Sequence, residues 1–593
     1  MGRNAPPGYG SCVGPPADAR GFQQQAIKIK NKKRSLKAMR TGKLSLENII
    51  TGLFIMLMGS VFLLCAQGYR TISDGKYHMF IIVCGGYCAV MLFMAFQRFA
   101  LGSGGLARHE ALLKDAADPA MEEAAGAAAG ASAAVGGHAT RGYDRIGAVT
   151  RAAAVIYIIL TLISALCSDY FPETIFGSGR HEGTLTIAIY GLTFIFVSRH
   201  YRPHLLHAAV FGASVIAFDI ISLLQAAGMN PFGLYPDGLS WADRNVKYSG
   251  EFIGTIGNAD LVSAFLCVAI PLTAVLGGHL VFGAGKADIC IKENNGKQNG
   301  NDAGNECDDF GSSVEGSGTL PVGIICLTAA VLSLVLLAVI KVTAGLLAMA
   351  FVCLIAAPVT AYIFLDDRKR KVIAAYLAVL VLAGCAAGAF IYAETSLPGT
   401  AGELHEIMHG NIDDSFGTSR IYIYRNILER VPSHLLLGTG PDTIGHMDIE
   451  PFQRYDADRG VMVTARIDTA HNEFLNVLAC QGILALGAYL AFALGVTAAA
   501  LCGMVNCAAA LRRAREYGRG APGAVNCAAV FARPAGGAGY SDAAAAAAAS
   551  TALALSVTAY LVQSMFSFSS CTTAPYFWIS CAVIIRLNEL MNK

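Results

Sequence analysis

Residues 321–341 read PVGIICLTAAVLSLVLLAVIK, and residues 343–365 continue as TAGLLAMAFVCLIAAPVTAYIFL before the charged turn Asp366-Asp367-Arg368-Lys369-Arg370-Lys371. Each run is almost wholly apolar and about 20 residues long, the length that carries an α-helix across a bilayer's hydrocarbon. Similar runs lie at 46–66, 78–97, 152–168, 184–198, 204–226, 260–282, 372–392, 472–502, 548–568 and 573–588, which makes twelve in all; 184–198 is short and 472–502 long. The composition agrees. Of the 593 residues 54% are hydrophobic and 15% charged, and the mean hydropathy is +0.50, whereas a soluble chain carries about 25% charged residues. An ordinary soluble enzyme, a disordered chain and a fibrous one are excluded. The expected fold is an all-α integral membrane protein of about twelve transmembrane helices. A net charge of +2 gives no nucleic-acid signature. Most of the 17 Cys, such as Cys84, Cys267 and Cys326, sit inside apolar runs and read as small buried hydrophobes.

Lys and Arg orient the spans. The tail 1–45 holds ten of them. If that tail is cytoplasmic, the segments on its side (98–151, 199–203, 283–320, 366–371, 503–547 and the C-terminus) bring the sum to 32 of the 44. Both termini are then expected in the cytoplasm of a multi-pass cytoplasmic-membrane protein. The long polar tail before the first span argues against a cleavable signal peptide. The expected organisation is a basic tail (1–45), membrane helices 1–9 with cytoplasmic insertions at 98–151 and 283–320 (46–392), a large outer loop (393–471), and helices 10–12 with an insertion at 503–547 (472–593). Ala/Gly-rich stretches at 116–140 and 534–553 and the Asn/Gly-rich 286–318 read as flexible insertions.

The chemistry is expected in 393–471. A long outer loop that is not low in complexity is usually functional. It holds an amphipathic stretch from Ser419 and Arg420 to Arg430, then the turn Leu437-Gly438-Thr439-Gly440-Pro441-Asp442. It ends in Arg466-Ile467-Asp468-Thr469-Ala470-His471-Asn472, at the start of a membrane run. A smaller outer segment, 227–260, carries Trp241, Arg244, Lys247 and Gly257-Asn258-Ala259-Asp260. Arg forks match phosphate oxygens, and His takes protons near neutral pH. Arg420 and Arg425 are five residues apart, about 140° around a helix, so only one points into a given site; Arg420 is preferred.

Four ordered strings resemble the O-antigen ligase/polymerase family of membrane glycosyltransferases. They are Gly257-Asn258-Ala259-Asp260 before a span containing Pro271; Ser419-Arg420 with its helix; Gly438-Thr439-Gly440-Pro441-Asp442; and His471-Asn472 followed by Gly482. Gln563-Ser564-Met565-Phe566 and Pro575-Tyr576-Phe577-Trp578 resemble that family's last helices, and the likeness covers 150–590. The resemblance implies a C-type glycosyltransferase-like bundle. It also implies an undecaprenyl-diphosphate-linked oligosaccharide donor, a glycan or lipid acceptor, no cofactor (neither metal nor nucleotide sugar), and partners in polysaccharide assembly or export. By this resemblance His471 and Arg420 are the catalytic candidates, and Arg425, Arg466, Asn472, Lys341, Asn258 and Asp442 the substrate-binding ones. Two positions depart from the family pattern. Where the family has a Ser-Arg-Gly, this chain has Lys341-Val342-Thr343-Ala344-Gly345, and Ala485 stands where a Gly is expected. Lys is a point charge without the bidentate fork of Arg.

Each candidate also has a purely structural reading. Asn258, Asp260 and Asn472 suit helix caps, Lys341 a snorkelling interfacial cation, and Gly438, Gly440 and Pro441 a turn. Two rival functions are legible. A transporter with a gated outer loop would use Asp219, the main charge inside a span. A zinc protease would use His405-Glu406-Ile407-Met408-His409, a literal HExxH, with His446 or Glu450 as third ligand.

Overall fold

The computed structural model describes residues 45–66, 68, 72–114, 133–234, 252–283, 319–456, 461–517 and 540–591. The basic tail before Ser45, Trp241, Arg244, Lys247, Arg459 and the centres of all three predicted insertions lie outside the described residues. The chain divides into two compact units, Met1–Ile50 and Thr51–Lys593. Of the first, only 45–50 are described, helical from Leu46; the remaining described residues belong to the second.

All twelve apolar runs fold as helices: α1 (Leu46–Phe62), α2 (Ile72–Ala100), α3 (Arg145–Leu166), α4 (Thr184–His200), α5 (Leu205–Ala226), α6 (Ala259–Phe282), α7 (Thr319–Ile340), α8 (Thr343–Phe364) and α9 (Asp367–Ala393), then α12 (Glu473–Tyr517), α13 (Tyr540–Ser564) and α14 (Ala574–Met591). Among the described residues nine helices are long and apolar enough to cross a membrane. The protein is an all-α integral membrane protein. Three of the twelve runs stand outside the nine. α1 and α4 are apolar but shorter, and α14 carries Arg586 and Glu589. Residues 393–471 contribute α10 (Gly399–Met408) and α11 (Phe416–Arg430). Two short antiparallel ladders complete the elements. β1 (Phe252–Ile253) pairs with β2 (Gly257–Asn258), and β3 (Phe452–Asp456) with β4 (Val461–Ala465), in the register Phe452↔Ala465 to Asp456↔Val461.

The described parts of two stretches expected to be flexible, 133–140 and 540–553, are helical. The helix that becomes α3 already runs from Ala133, and α13 starts at Tyr540 inside the Ala-rich run. Alanine is the strongest helix former, and its small side chain lets helices approach closely. Ala543, Ala546 and Ala552 are accordingly buried. α6 is the most enclosed crossing, with Leu261–Pro271 buried without interruption. No residue of α9 is buried, as a helix with lipid on its faces requires. Asp219, the main charge inside a span, accepts a hydrogen bond from the Ser333 hydroxyl at 2.6 Å between α5 and α7.

The long run 472–502 proves to be a helix broken once. Gly482, the tenth residue of α12, takes φ 83, ψ 175. A break inside a membrane segment frees backbone groups that lipid cannot satisfy. The turn 435–440 satisfies them. Thr439 N–H donates to Ala479 O (3.1 Å), Gly440 N–H to Cys480 O (2.7 Å), and Ile483 N–H to Leu435 O (2.8 Å). Both glycines are required sterically. A Cβ on Gly482 collides with the Leu436 carbonyl, and one on Gly438 (φ 68) with Cys480. On the other side of this joint, Ile423 and Ile427 of α11 and Val431 just past its end lie at i, i+4 and i+8, one face of a helix. They form an apolar core with Ile444, Ile467, Ala470, Ala479 and Cys480. This packing holds a loop that has no Cys between 393 and 470.

Gly482→Ala and Gly438→Ala each combine left-handed strain with a backbone clash, and each should cost more than about 2 kcal/mol. The expected result is a lowered unfolding midpoint in detergent for both. An unchanged midpoint would show that the broken helix is not held as described.

Candidate active site

The last turn of the 393–471 loop, the segment 167–183 and the connection between α13 and α14 meet at one end of the bundle. His471 adopts φ 47, a left-handed kink just before α12. Asn472 caps that helix, its Oδ1 accepting from Leu475 N–H at 3.1 Å. The His471 ring meets the Phe568 ring edge-on, centroids 5.6 Å apart, and its carbonyl accepts from the Tyr424 hydroxyl at 3.4 Å. Burial raises the Tyr424 pKa, with Arg420 and a hydrogen bond with Asn472 opposing.

Arg420 begins the regular part of α11, because Gly417, Thr418 and Ser419 all have positive φ. Three successive left-handed residues, two of them not Gly, are strained, a condition that clusters at functional sites. One Arg420 nitrogen donates to Phe566 O at 3.2 Å. Arg425 points elsewhere, pairing with Asp414 at 2.9 Å on a surface where both are about half exposed. The five-residue spacing separates the two arginines as expected, and Arg420 is the one at this cluster.

Sequence reasoning missed Arg180. It lies in the connection between α3 and α4, in Ser178-Gly179-Arg180-His181. Its guanidinium lies over the Phe568 ring, 4.0 Å from the centroid. It donates to both Asp468 oxygens, at 3.2 Å from Nε and 3.0 Å from Nη2. Asp442 sets the position of this arginine. Its Oδ2 accepts the N–H groups of Gly179 (3.1 Å) and Arg180 (2.9 Å), and its carbonyl accepts from the Ser178 hydroxyl. Asp442 is thus a positioning residue. An Arg in a short Gly/Ser connection, on the side predicted for the large loop, was the available signal. Arg180 and Arg420 both act electrostatically on Asp260, which places the start of α6 beside them.

The other candidates are placed as follows. Asn258 caps α6, its Oδ1 accepting from Asp260 N–H (2.8 Å) and Leu261 N–H (3.3 Å). Lys341 is exposed at the junction of α7 and α8, with φ 54. Arg466 is exposed two residues before Asp468. In the HExxH string, His405 Nδ1 bonds Ile391 O at 2.7 Å and His409 Nδ1 bonds His405 O at 2.9 Å. Of the proposed third ligands, His446 pairs with Glu173 at 3.1 Å. Among the described residues no group of three His, Cys, Asp or Glu is placed to hold a metal ion.

Behind Arg180 lies a small polar cavity lined by Glu182, Tyr190, Asp442, Asp468, Glu473 and Gln481 among others. Glu182 accepts from the Tyr190 hydroxyl at 2.7 Å, and Glu473 from Tyr489 at 2.6 Å. Desolvation in the cavity pushes the Glu182 carboxyl up to about 8; repulsion from Asp442 and Glu473 adds to it, while hydrogen bonds from Tyr190 and Ser569 oppose it.

Fold and site together define a polytopic membrane protein whose 393–471 loop brings a cationic and histidine-bearing cluster to the connection between the last two helices. Residues 328–490 match the family model of the O-Antigen ligase. That stretch, which holds Arg420, Asp442, His471 and Asn472, is similar to the O-Antigen ligase family, the one that the ordered strings resemble. No curated protein matches the chain.

Glu182 yields a pH test. An acid whose folded value is raised favours folding while protonated, so stability falls as pH rises from about 4.5 through about 8. The unfolding midpoint should decline across that window, and Glu182→Gln should flatten the decline. A slope unaltered by the substitution would remove Glu182 as its source.

Proposed function

We propose that the protein transfers or polymerises an undecaprenyl-diphosphate-linked glycan in surface polysaccharide assembly, at the outer face of the cytoplasmic membrane, with both termini cytoplasmic and the 393–471 loop outside. The observation that carries this reading is the convergence of Arg180, Arg420 and His471, from three separate stretches of chain, on the short segment Phe566–Phe568. The match of 328–490 to the O-Antigen ligase family supports it.

In this reading His471 takes the proton of an acceptor hydroxyl as that oxygen bonds to the donor's anomeric carbon. The bond from that carbon to the diphosphate oxygen breaks with its electron pair, and the charge left on the diphosphate faces the guanidiniums of Arg420 and Arg180. Charge-assisted hydrogen bonds to a leaving oxyanion act most strongly where water is excluded. Asp468 and Phe568 hold the Arg180 plane from two sides, and Asp442 fixes its backbone, so the cation is oriented before substrate arrives. Tyr424 and Asn472 orient the His471 backbone and the helix behind it. Arg466 and Lys341, exposed nearby in sequence and at a helix junction, are assigned to substrate contacts outside the reacting centre, and Arg425 to the loop surface.

His471→Ala should lower transfer by about 10²–10⁴-fold, the contribution of a positioned general base. Arg420→Ala and Arg180→Ala should each lower it by at least about tenfold, with Lys at either position restoring only part. The assay is polysaccharide length on a gel together with lipid-linked precursor in extracts, at equal expression in cells lacking the native protein. Loss of polymer with precursor accumulation is expected. Full activity of His471→Ala would sink the proposal.

A further inference from the structure

The string His405–His409, which no step of the proposed transfer uses, clasps α10 to the end of α9. His405 Nδ1 donates to Ile391 O at 2.7 Å, and the His409 ring stacks on the Tyr392 ring, centroids 4.3 Å apart. Both contacts fall on the last turn of α9, which ends at Ala393. The depth of that turn follows from length. The apolar run 372–392 begins just after Arg368-Lys369-Arg370-Lys371 and spans roughly 30 Å as a helix, the thickness of a bilayer's hydrocarbon. Ile391 and Tyr392 therefore stand at the far hydrocarbon boundary, and the two His hold α10 at that level. Tyr is a residue type enriched there.

Around α10 the side chains divide into three faces. His405 is buried and bonded to α9. Glu403 and Glu406 bond within the loop: Glu403 Oε2 accepts from Gly417 N–H at 3.1 Å, and Glu406 Oε2 from the Asn411 side chain at 2.8 Å. Leu404, Ile407 and Met408, at i, i+3 and i+4, make the third face. Leu404 and Met408 are each 43% exposed, and Ile412, just past the helix, is 51% exposed. An apolar stripe turned outward marks a partner or a membrane. The surface it adjoins names which. No residue of α9 is buried, so lipid covers α9 up to the turn that holds α10, and the stripe continues that lipid-facing surface.

We propose that α10 lies in the membrane–water interface, with Leu404, Met408 and Ile412 inserted into the bilayer surface and Glu403 and Glu406 turned away from it. An interfacial helix sinks its apolar face about 5–10 Å into the boundary between headgroups and acyl chains, the level at which the last turn of α9 holds α10. α10 carries no Lys or Arg, so anionic headgroups offer it no attraction. The anchor is apolar, and a zwitterionic bilayer suffices. Through Glu403 the anchored helix holds Gly417, the first of the three left-handed residues before Arg420. The bilayer surface thereby becomes one of the references that set where Arg420 stands.

The test places the full chain in nanodiscs of phosphatidylcholine, either plain or with acyl chains brominated near the headgroup. Tryptophan is introduced singly, as Leu404→Trp, Met408→Trp or Glu406→Trp, and the emission of the unaltered chain, which has two Trp, is subtracted. Bromine quenches a tryptophan that it touches. Leu404→Trp and Met408→Trp should emit at shorter wavelength and lose most of the added emission in the brominated bilayer. Glu406→Trp should keep its emission. Ile412→Trp, outside the helix, repeats the lipid-side reading at a position where helix packing is undisturbed. Unquenched emission at 404, 408 and 412 overturns the proposal: at long wavelength it places the stripe in water, and at short wavelength it shows a protein surface there, from this chain or a second copy. Quenching at 406 equal to that at 404 also overturns it, because α10 then has no lipid face of its own. Polymer synthesis is not read, so failure here leaves the proposed activity untouched.

Discussion

A helix that breaks inside a membrane must have its freed backbone groups satisfied by protein, and here the partner is fixed in sequence. The Gly482 break leaves the carbonyls of Ala479 and Cys480 and the Ile483 N–H without helical partners, and the turn 435–440 bonds all three. Because lipid offers no hydrogen bonds, this joint cannot loosen without exposing polar backbone. The loop is therefore locked to α12 through its main chain. From that anchor the site is determined on both sides. The turn continues into Asp442, which holds the backbone of Arg180, and ten residues before the break α12 starts at the Asn472 cap, next to His471.

The same anchor explains how a loop without disulfides carries oriented cations. α11 buries Ile423, Ile427 and Val431 against the broken helix, which sets the rotation of the helix about its axis. Rotation then decides which arginine faces Phe566 and which faces Asp414. Arg180 is fixed by three different kinds of interaction: backbone bonds to Asp442, a forked ion pair with Asp468 and the face of Phe568. Holding a cation by several weak constraints keeps it oriented without neutralising it through burial, which suits a group that must meet transient negative charge.

Much of this was legible in the sequence, for identifiable reasons. Apolar runs of about 20 residues have one low-energy solution in lipid, so the helices were readable one by one. The amphipathic period of 419–430 and the glycines at 438 and 482 were visible as local signals. What those glycines do was not, because a turn that mends a helix break 40 residues on is a tertiary fact. Arg180 escaped for the same reason. Nothing within its own segment distinguishes it from a solvated loop charge until Phe568 and Asp468 are brought beside it. Composition misled at 540–553, where low complexity suggested flexibility; alanine there gives a helix that packs closely on its neighbours. The caps at Asn258 and Asn472 show motif residues whose geometry serves the helix itself.

The two ends of the bundle handle charge in opposite ways. At the loop end, Arg180 and Arg420 are matched by Asp468, Asp442 and carbonyl oxygens, and the adjacent cavity is acidic, with Glu182 held toward its protonated form. At the far end Arg151 and Arg586 share Glu589, and one buried Arg151 nitrogen lacks an acceptor among the described residues. A membrane protein folds with lipid as part of its solvent, so a polar group that the chain leaves unmatched at the bilayer edge is matched by a headgroup or is destabilising. α3 and α14 each run from the reacting cluster's neighbourhood to the guanidinium cluster, and the Trp578 and Tyr157 rings near one end share those helices with Arg586 and Arg151 at the other.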